Sequence, residues 1–450
     1  MKKFLPYATL IIFLVIISSL GQWAFGYAPS LIHDIDLQLL VLGGVLFIGY
    51  YINRIAPHTA IPSFVWAIFA GMAMQPMLAT YTSELNSVKI LMEVFAAIIL
   101  FSGGLDIPFK NFKKWFFPIA SLSLVGVILS SVFFAVALSY IASWFGLLTP
   151  ELLPSIVILS AALASTDPTA IIPTLATLRF KRSYIKQIAI SESALTDVSG
   201  SILTRFLLLA MLGAAASTHT GLFSYFTPLI NKTTYDALAL QILTGIIVGY
   251  IGFMLIKRFY SENGTHSTGH KEADPALLVS VPIFTFVLGN VLGGAGFLAA
   301  FMAGLFSDIG LGLRQASRFT ESLLNHLIKP FIFIMLGALV PVATLLDLAP
   351  IGILSAFVFM FVIRPLVVFI SLLPWIKQFT FSDLLFLSFI RETGIIAAIL
   401  LIIAATFSII TSQFVIAIGM WVILLTLVIE PPLTPYIARK IGVLSDRPSK

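Results

Sequence analysis

The chain has 450 residues, 59% of them hydrophobic and only 10% charged, with a mean hydropathy of +1.04 and a formal net charge of +6. Soluble domains carry about a quarter charged residues, so this composition excludes a soluble globular protein and specifies an all-α polytopic membrane protein. Zero cysteines exclude disulfides, thiolate metal sites and sulfur redox chemistry, six scattered histidines offer no paired ligand spacing within a span, and the basic excess reads as loop charge rather than affinity for nucleic acid.

Crossing a hydrocarbon core of ~30 Å takes about 20 helical residues. Hydropathy with polar breaks predicts fourteen such spans, at 4–20, 37–54, 60–76, 86–104, 116–145, 152–178, 186–214, 238–257, 275–291, 295–310, 320–342, 348–372, 381–403 and 410–431. The first, "MKKFLPYATLIIFLVIISSLGQWAFG", has the basic start, apolar stretch and small residues of a signal peptide as well as the length of an extra helix. Residues 1–26 are therefore a signal peptide or a first transmembrane helix, 27–440 the membrane domain, and 441–450 a short tail. Of the 26 Lys and Arg residues, 20 fall at the N-terminus or in loops after even-numbered spans, only Lys89 and Lys232 fall on the other side, and Arg205, Lys329, Arg364 and Arg391 lie within spans. The positive-inside rule makes the side carrying the 20 cytoplasmic, C-terminus included.

An ionisable group inside the hydrocarbon is expensive and marks a functional site unless it can snorkel. In span 6, "SAALASTDPTAIIPTL" carries Asp167 some 15 residues from the outer end; Asp197 in span 7 and Arg391 in span 13 lie about 11 and 10 residues from the inner ends. At 1.5 Å per residue all three sit roughly 15–22 Å deep, near the midplane. Glu192 is slightly nearer the inner face, and Glu392 adds another acid beside Arg391. Glu192 and Arg391 are expected to form a structural ion pair, because pairing neutralises both charges. Three midplane acids against one arginine leave at least one carboxylate that must hold a proton or a mobile cation. Pro168 removes a helix hydrogen bond in mid-span, and "RETG" breaks span 13 at its centre. Discontinuous helices at matching positions of two halves point to an ion site between inverted repeats.

At these residues the chain resembles a known family. "LFSGGLD" (100–106), "STDPTA" (165–170), "SESALTDVSG" (191–200), "GGAGFLAAFMAGL" (293–305), "PFIFIMLGALV" (330–340), "RPLVVF" (364–369) and "RETGIIAAIL" (391–400) are similar, in order, to the monovalent cation:proton antiporters of the NhaP and NHE type. The resemblance implies thirteen or fourteen transmembrane helices, inverted repeats with two discontinuous crossing helices, a homodimer in the inner membrane, and an elevator-like movement of a core domain against dimerisation helices. It also implies that Asp197 binds either the cation or the proton, with Asp167, Ser193 and Thr166 in the site, and that Glu192 and Arg391 are the structural pair. Oxygen donors alone suit a hard alkali cation, be it sodium, potassium or lithium. No resident cofactor is implied, only the transported cation and H+.

One departure concerns Thr196, where proton-coupled relatives have asparagine and electrogenic ones a second aspartate. Threonine carries no second proton, and the middle of span 11, "FIFIMLGAL", has no lysine; Lys329 before Pro330 is expected to snorkel. Electroneutral exchange follows as the expectation. Thr196, Arg205 and Glu392 are candidates to tune the site, Glu93 is an access residue near the outer end of span 4, and Arg364 before Pro365 is structural. The competing functions are a cation channel and an intramembrane aspartyl protease using two aspartates as a dyad. Neither aspartate follows Gly-x-Gly, and an arginine at the same depth disfavours a shared proton, so the protein is expected not to be an enzyme.

Overall fold

A computed structural model of the chain describes residues 4–27, 35–59, 61–78, 85–107, 113–167, 175, 177–213, 221–262, 275–311, 318–339, 341–390 and 392–445. Among them the only extended pairing is a single bridge between Phe180 and Leu444; the rest of the regular structure is helical.

In chain order the helices are α1 (Leu5–Tyr27), α2 (Ile35–Ile55), α3 (Ser63–Ala73), α4 (Leu85–Leu105), α5 (Phe116–Trp144), α6 (Leu153–Ala162), α7 (Ser183–Gly213) and α8 (Lys232–Glu262). They continue with α9 (Pro275–Val291), α10 (Gly296–Leu311), α11 (Lys329–Ala338), α12 (Ala349–Ser371), α13 (Phe381–Ser388), α14 (Ile395–Ala405) and α15 (Ser412–Lys440). Seven described helices are by themselves long and apolar enough to cross a membrane, and every one of the fourteen predicted windows contains a helix or a broken pair. The expected break in span 6 follows α6, and that in span 13 separates α13 from α14. Pro168, to which the first break was assigned, lies outside the described residues.

The architecture is an inverted repeat. Numbered from α2 and from α9, the second span of each half packs on the third span of the other, α3 on α11 and α4 on α10. Small residues make both crossings close: a side chain on Gly71 or Gly337 would strike the facing backbone of α11 or α3, and one on Gly104 or Gly304 that of α10 or α4. Without a hydrophobic drive between helices in lipid, such close backbone approach is what holds membrane helices together. The fourth span of each half, α5 and α12, contains one π-turn, at Ser121–Val125 and Phe359–Ile363. The fifth span is the broken one in both halves.

Apolar side chains fill the space between the halves, with Leu159, Phe134, Phe359 and Ile399 at 0–1% exposure. On the basic side, α13 starts at a capping box in which the Asp383 carboxylate accepts the Thr380 N–H at 2.9 Å. The same carboxylate accepts from Arg182 and from Tyr184 Oη, tying the start of α7 to α13. That end of the fold is braced by short polar contacts.

Candidate functional site

The two unwound segments cross one another. The Asp167 backbone N–H donates to the Glu392 carbonyl at 2.8 Å, replacing part of the helix bonding each segment has lost. Gly394 makes the crossing possible, because a Cβ there would overlap the Asp167 side chain. The Asp167 carboxylate accepts the Ile395 N–H at 3.4 Å and so caps the first residue of α14. A helix N-terminus presents unpaired N–H groups and a partial positive charge, which favour a carboxylate placed there.

α7 lies against this crossing. Gly200 faces Ser165 closely, and one turn earlier the Thr196 hydroxyl bonds the Thr166 hydroxyl while donating to the Ser193 carbonyl at 2.8 Å. That contact brings the neighbouring residues Asp167 and Asp197 to the same level and joins α7 to the first break. Asp197 is 4% exposed and Asp167 6%. Asp197 makes no hydrogen bond or ion pair among the described residues, nor does the buried hydroxyl of Ser193, four residues before it on the same face of α7. The buried hydroxyl of Thr393, in the second break, is likewise unsatisfied among the described residues. Buried polar atoms are almost always paired, so a carboxylate and hydroxyls with open valence around a helix crossing are chemically suited to hold a dehydrated cation through oxygen. Among the described residues no three His, Cys, Asp or Glu side chains converge as transition-metal ligands would.

Glu192 is different. Arg364 Nη2 lies 3.1 Å from both of its carboxylate oxygens, each side chain 3% exposed, and also donates to the Leu387 carbonyl at 3.4 Å. The described partner of Glu192 thus comes from α12, whereas Arg391, the partner expected from the sequence, lies outside the described residues. The signal was present in depth. By the predicted spans Glu192 and Arg364 sit about 6 and 8 residues from the inner face, or roughly 9 and 12 Å, while Arg391 is about 10 residues in. The π-turn of α12 ends at Ile363 and aims Arg364 inward, and its counterpart in α5 leaves the Ser123 carbonyl free to accept from Ser199 on α7.

Glu392 is buried beside the crossing and contributes the carbonyl that Asp167 uses. Arg205 is not at the crossing; it is exposed toward the opposite end of α7 and donates to Asn290 Oδ1 of α9 at 2.7 Å. It lines a cavity of about 390 Å³ with Gln241 and Asn290, and a smaller one of about 190 Å³ that also contains Lys89 and Glu93, the expected access residue. Lys329 corrects a further expectation. Rather than leaving for the membrane surface, it lines a cavity of about 340 Å³ together with Asp167, Asn53, Asn325 and His326.

Comparisons with known proteins agree with this arrangement. A profile of the family described as "Sodium/hydrogen exchanger, transmembrane" matches residues 42–440. The chain is 27% identical over 353 residues to the K(+)/H(+) antiporter NhaP2 of Shewanella oneidensis, covering 76% of this chain and 56% of that protein. It is 26% identical to the K(+)/H(+) antiporter NhaP of Alkalimonas amylolytica, covering 81% and 60%, and 24% identical to the low-affinity Na(+)/H(+) antiporter NhaS1 of Synechocystis, covering 71% and 56%. It thus spans somewhat over half the length of these relatives. Its fold is similar to that of the sodium proton antiporter MjNhaP1 of Methanocaldococcus jannaschii, with a TM-score of 0.70 at 19% identity over 89% of this chain and 100% of that one.

Proposed function

Because the chain belongs to the transmembrane sodium/hydrogen exchanger family, we propose that it exchanges a monovalent cation for H+ across the membrane at Asp197, one for one. The observation that carries this reading is the buried Asp197 carboxylate, which has no hydrogen bond or ion pair among the described residues.

The cycle is a competition for that carboxylate. A lone buried charge is far costlier than a neutral group, so Asp197 holds either a proton or a cation. Asp167, which accepts from the first N–H of α14, shares the cation, with the Ser193 hydroxyl completing the set. Arg364 is spent on Glu192 and does not neutralise Asp197. A loaded site is close to neutral and crosses with the core; an empty one carries unbalanced charge and does not. Thr196 carries no second proton, which supports electroneutral exchange. The side rich in Lys and Arg is the cytoplasmic face of the inner membrane, the C-terminus lies on it, and the protein works as a homodimer in the bilayer. The names of relatives include both sodium and potassium exchangers, so the cargo is an alkali cation. The cavity that reaches Asp167 and those around Arg205 are separate, which favours alternating access over a channel.

The test is exchange in everted vesicles. Wild type collapses an imposed pH gradient when sodium, potassium or lithium is added, and Asp197→Asn, folded and inserted, does not. Dye dequenching by that variant at the wild-type rate overturns the assignment, and the same assay with the membrane potential clamped reads the stoichiometry.

A further inference from the structure

The cavity that reaches Asp167 contains a fixed positive charge. Lys329 is the first residue of α11, directly after the π-turn Leu324–Ile328, whose Asn325 carbonyl accepts from the Asn53 amide of α2 at 2.7 Å. Pro330 then packs against Gly49 of α2. Both contacts anchor the start of α11 to α2, so Lys329 is held by that helix. Its side chain lines a chamber of about 340 Å³ together with Asp167. Lipid-facing lysines extend to the headgroups; this one lines the cavity that reaches Asp167.

We infer that Lys329 is a specificity-determining residue, a tethered cation that competes with the transported alkali cation for Asp167 and weakens its binding from the face on which the cavity opens. A cation entering from this side must displace or approach a like charge, and both effects oppose binding. Leaving toward this side is correspondingly favoured. Because Lys329 is held by α2, outside the crossing helices that carry the site, a movement of the crossing relative to α2 confines the penalty to the state in which the site faces this cavity. Apparent affinity for the cation is therefore unequal on the two faces. Among the described residues, titratable groups around the ammonium include Asp167 in the crossing, Asp106 at the end of α4, and His326 on the π-turn, whose ring lies 3.0 Å from the Ser322 carbonyl.

This inference rests on the exchange reading, and the experiment separates the two. Exchange is measured in everted and right-side-out vesicles with sodium or potassium chloride, at alkaline pH where protons compete least. Removing the charge with Lys329→Met is expected to lower the half-saturating cation concentration on the cavity face by about tenfold, the order expected of a unit charge sharing a partly hydrated cavity. The maximal rate changes less, and Lys329→Arg keeps the wild-type value. In wild type the half-saturating concentration is higher on the cavity face than on the other, a comparison that needs no variant. Equal values on the two wild-type faces, an unchanged or raised value in Lys329→Met, or a Lys329→Arg variant that behaves like Lys329→Met overturns the inference. Loss of cation-driven exchange in wild type, or its retention in Asp197→Asn, instead overturns the exchange reading.

Discussion

Glu192 and Asp197 are carboxylates five residues apart on α7, both buried, yet the fold treats them oppositely. Glu192 accepts a hydrogen bond from the Arg364 guanidinium at Oε2, with Oε1 also 3.1 Å from it in an ion pair, and that arginine also bonds a carbonyl of α13. Asp197 receives nothing from the described residues and faces the crossing of two broken helices. Five residues on a helix turn a side chain by about 500°, roughly 140° net, so the two acids necessarily look at different neighbours. One face of α7 is therefore a joint between α7, α12 and α13, and the other is a place where charge is left to be satisfied from outside. A buried ion pair is weak evidence of stability but costly to break, whereas an unpaired buried carboxylate is evidence of use.

The widest separation of the two acids comes from comparing Asp197→Asn and Glu192→Gln. The first is expected to reduce exchange to that of empty vesicles while the detergent-solubilised protein melts at or above the wild-type temperature, because a lone buried charge has been removed. Glu192→Gln strands the Arg364 charge and is expected to cost about 3–5 kcal/mol, read as a lower melting temperature and a reduced yield of folded protein. The double variant Glu192→Gln with Arg364→Gln recovers part of that loss, and strict additivity of the two single effects in this cycle breaks the assignment of the pair. If instead Asp197→Asn destabilises as much as Glu192→Gln, Asp197 has a structural partner and the contrast fails.

Gly394→Ala probes the crossing itself. The added methyl meets the Asp167 side chain, so overpacking of about 1–3 kcal/mol is expected, together with slowed exchange as Asp167 is pushed off the α14 N-terminus. A variant with wild-type melting temperature and half-saturating concentration would show that the two segments do not cross this closely. Smaller still is Ser193→Ala, which removes the unsatisfied hydroxyl one turn from Asp197. A rise of about fivefold in half-saturating cation concentration is expected, with melting temperature unchanged, since the loss of one ligand oxygen compares with a hydrogen bond to a charged group. No change in that concentration would move the ligand set elsewhere. The smallest effect is expected for Arg205→Gln, whose side chain is bonded to Asn290 away from the crossing; a large change in cation affinity there would restore Arg205 as a tuning residue.

Hydropathy alone determined much of this protein. Each predicted span contains a helix because a backbone in hydrocarbon must satisfy its own N–H and C=O groups, and a long apolar run leaves it no other way. Both breaks were legible as well: "STDPT" and "RETG" put polar residues, proline and glycine where an apolar helix would otherwise continue, and depth along the span placed Asp167 and Asp197 at one level. What depth does not contain is azimuth. Whether Glu192 meets an arginine from α12 or from span 13 depends on which way each side chain faces, and the π-turn before Arg364 rotates everything after it by about 100° relative to an unbroken α-helix. The same holds for Lys329, which follows a π-turn of its own and opens beside Asp167 instead of toward lipid. Nothing in the hydropathy of "LLNHLIKPF" announces that turn. The sequence decided which residues lie deep in the membrane; only the packing of helices rotated by π-turns and brought close by glycine decided which of those residues meet.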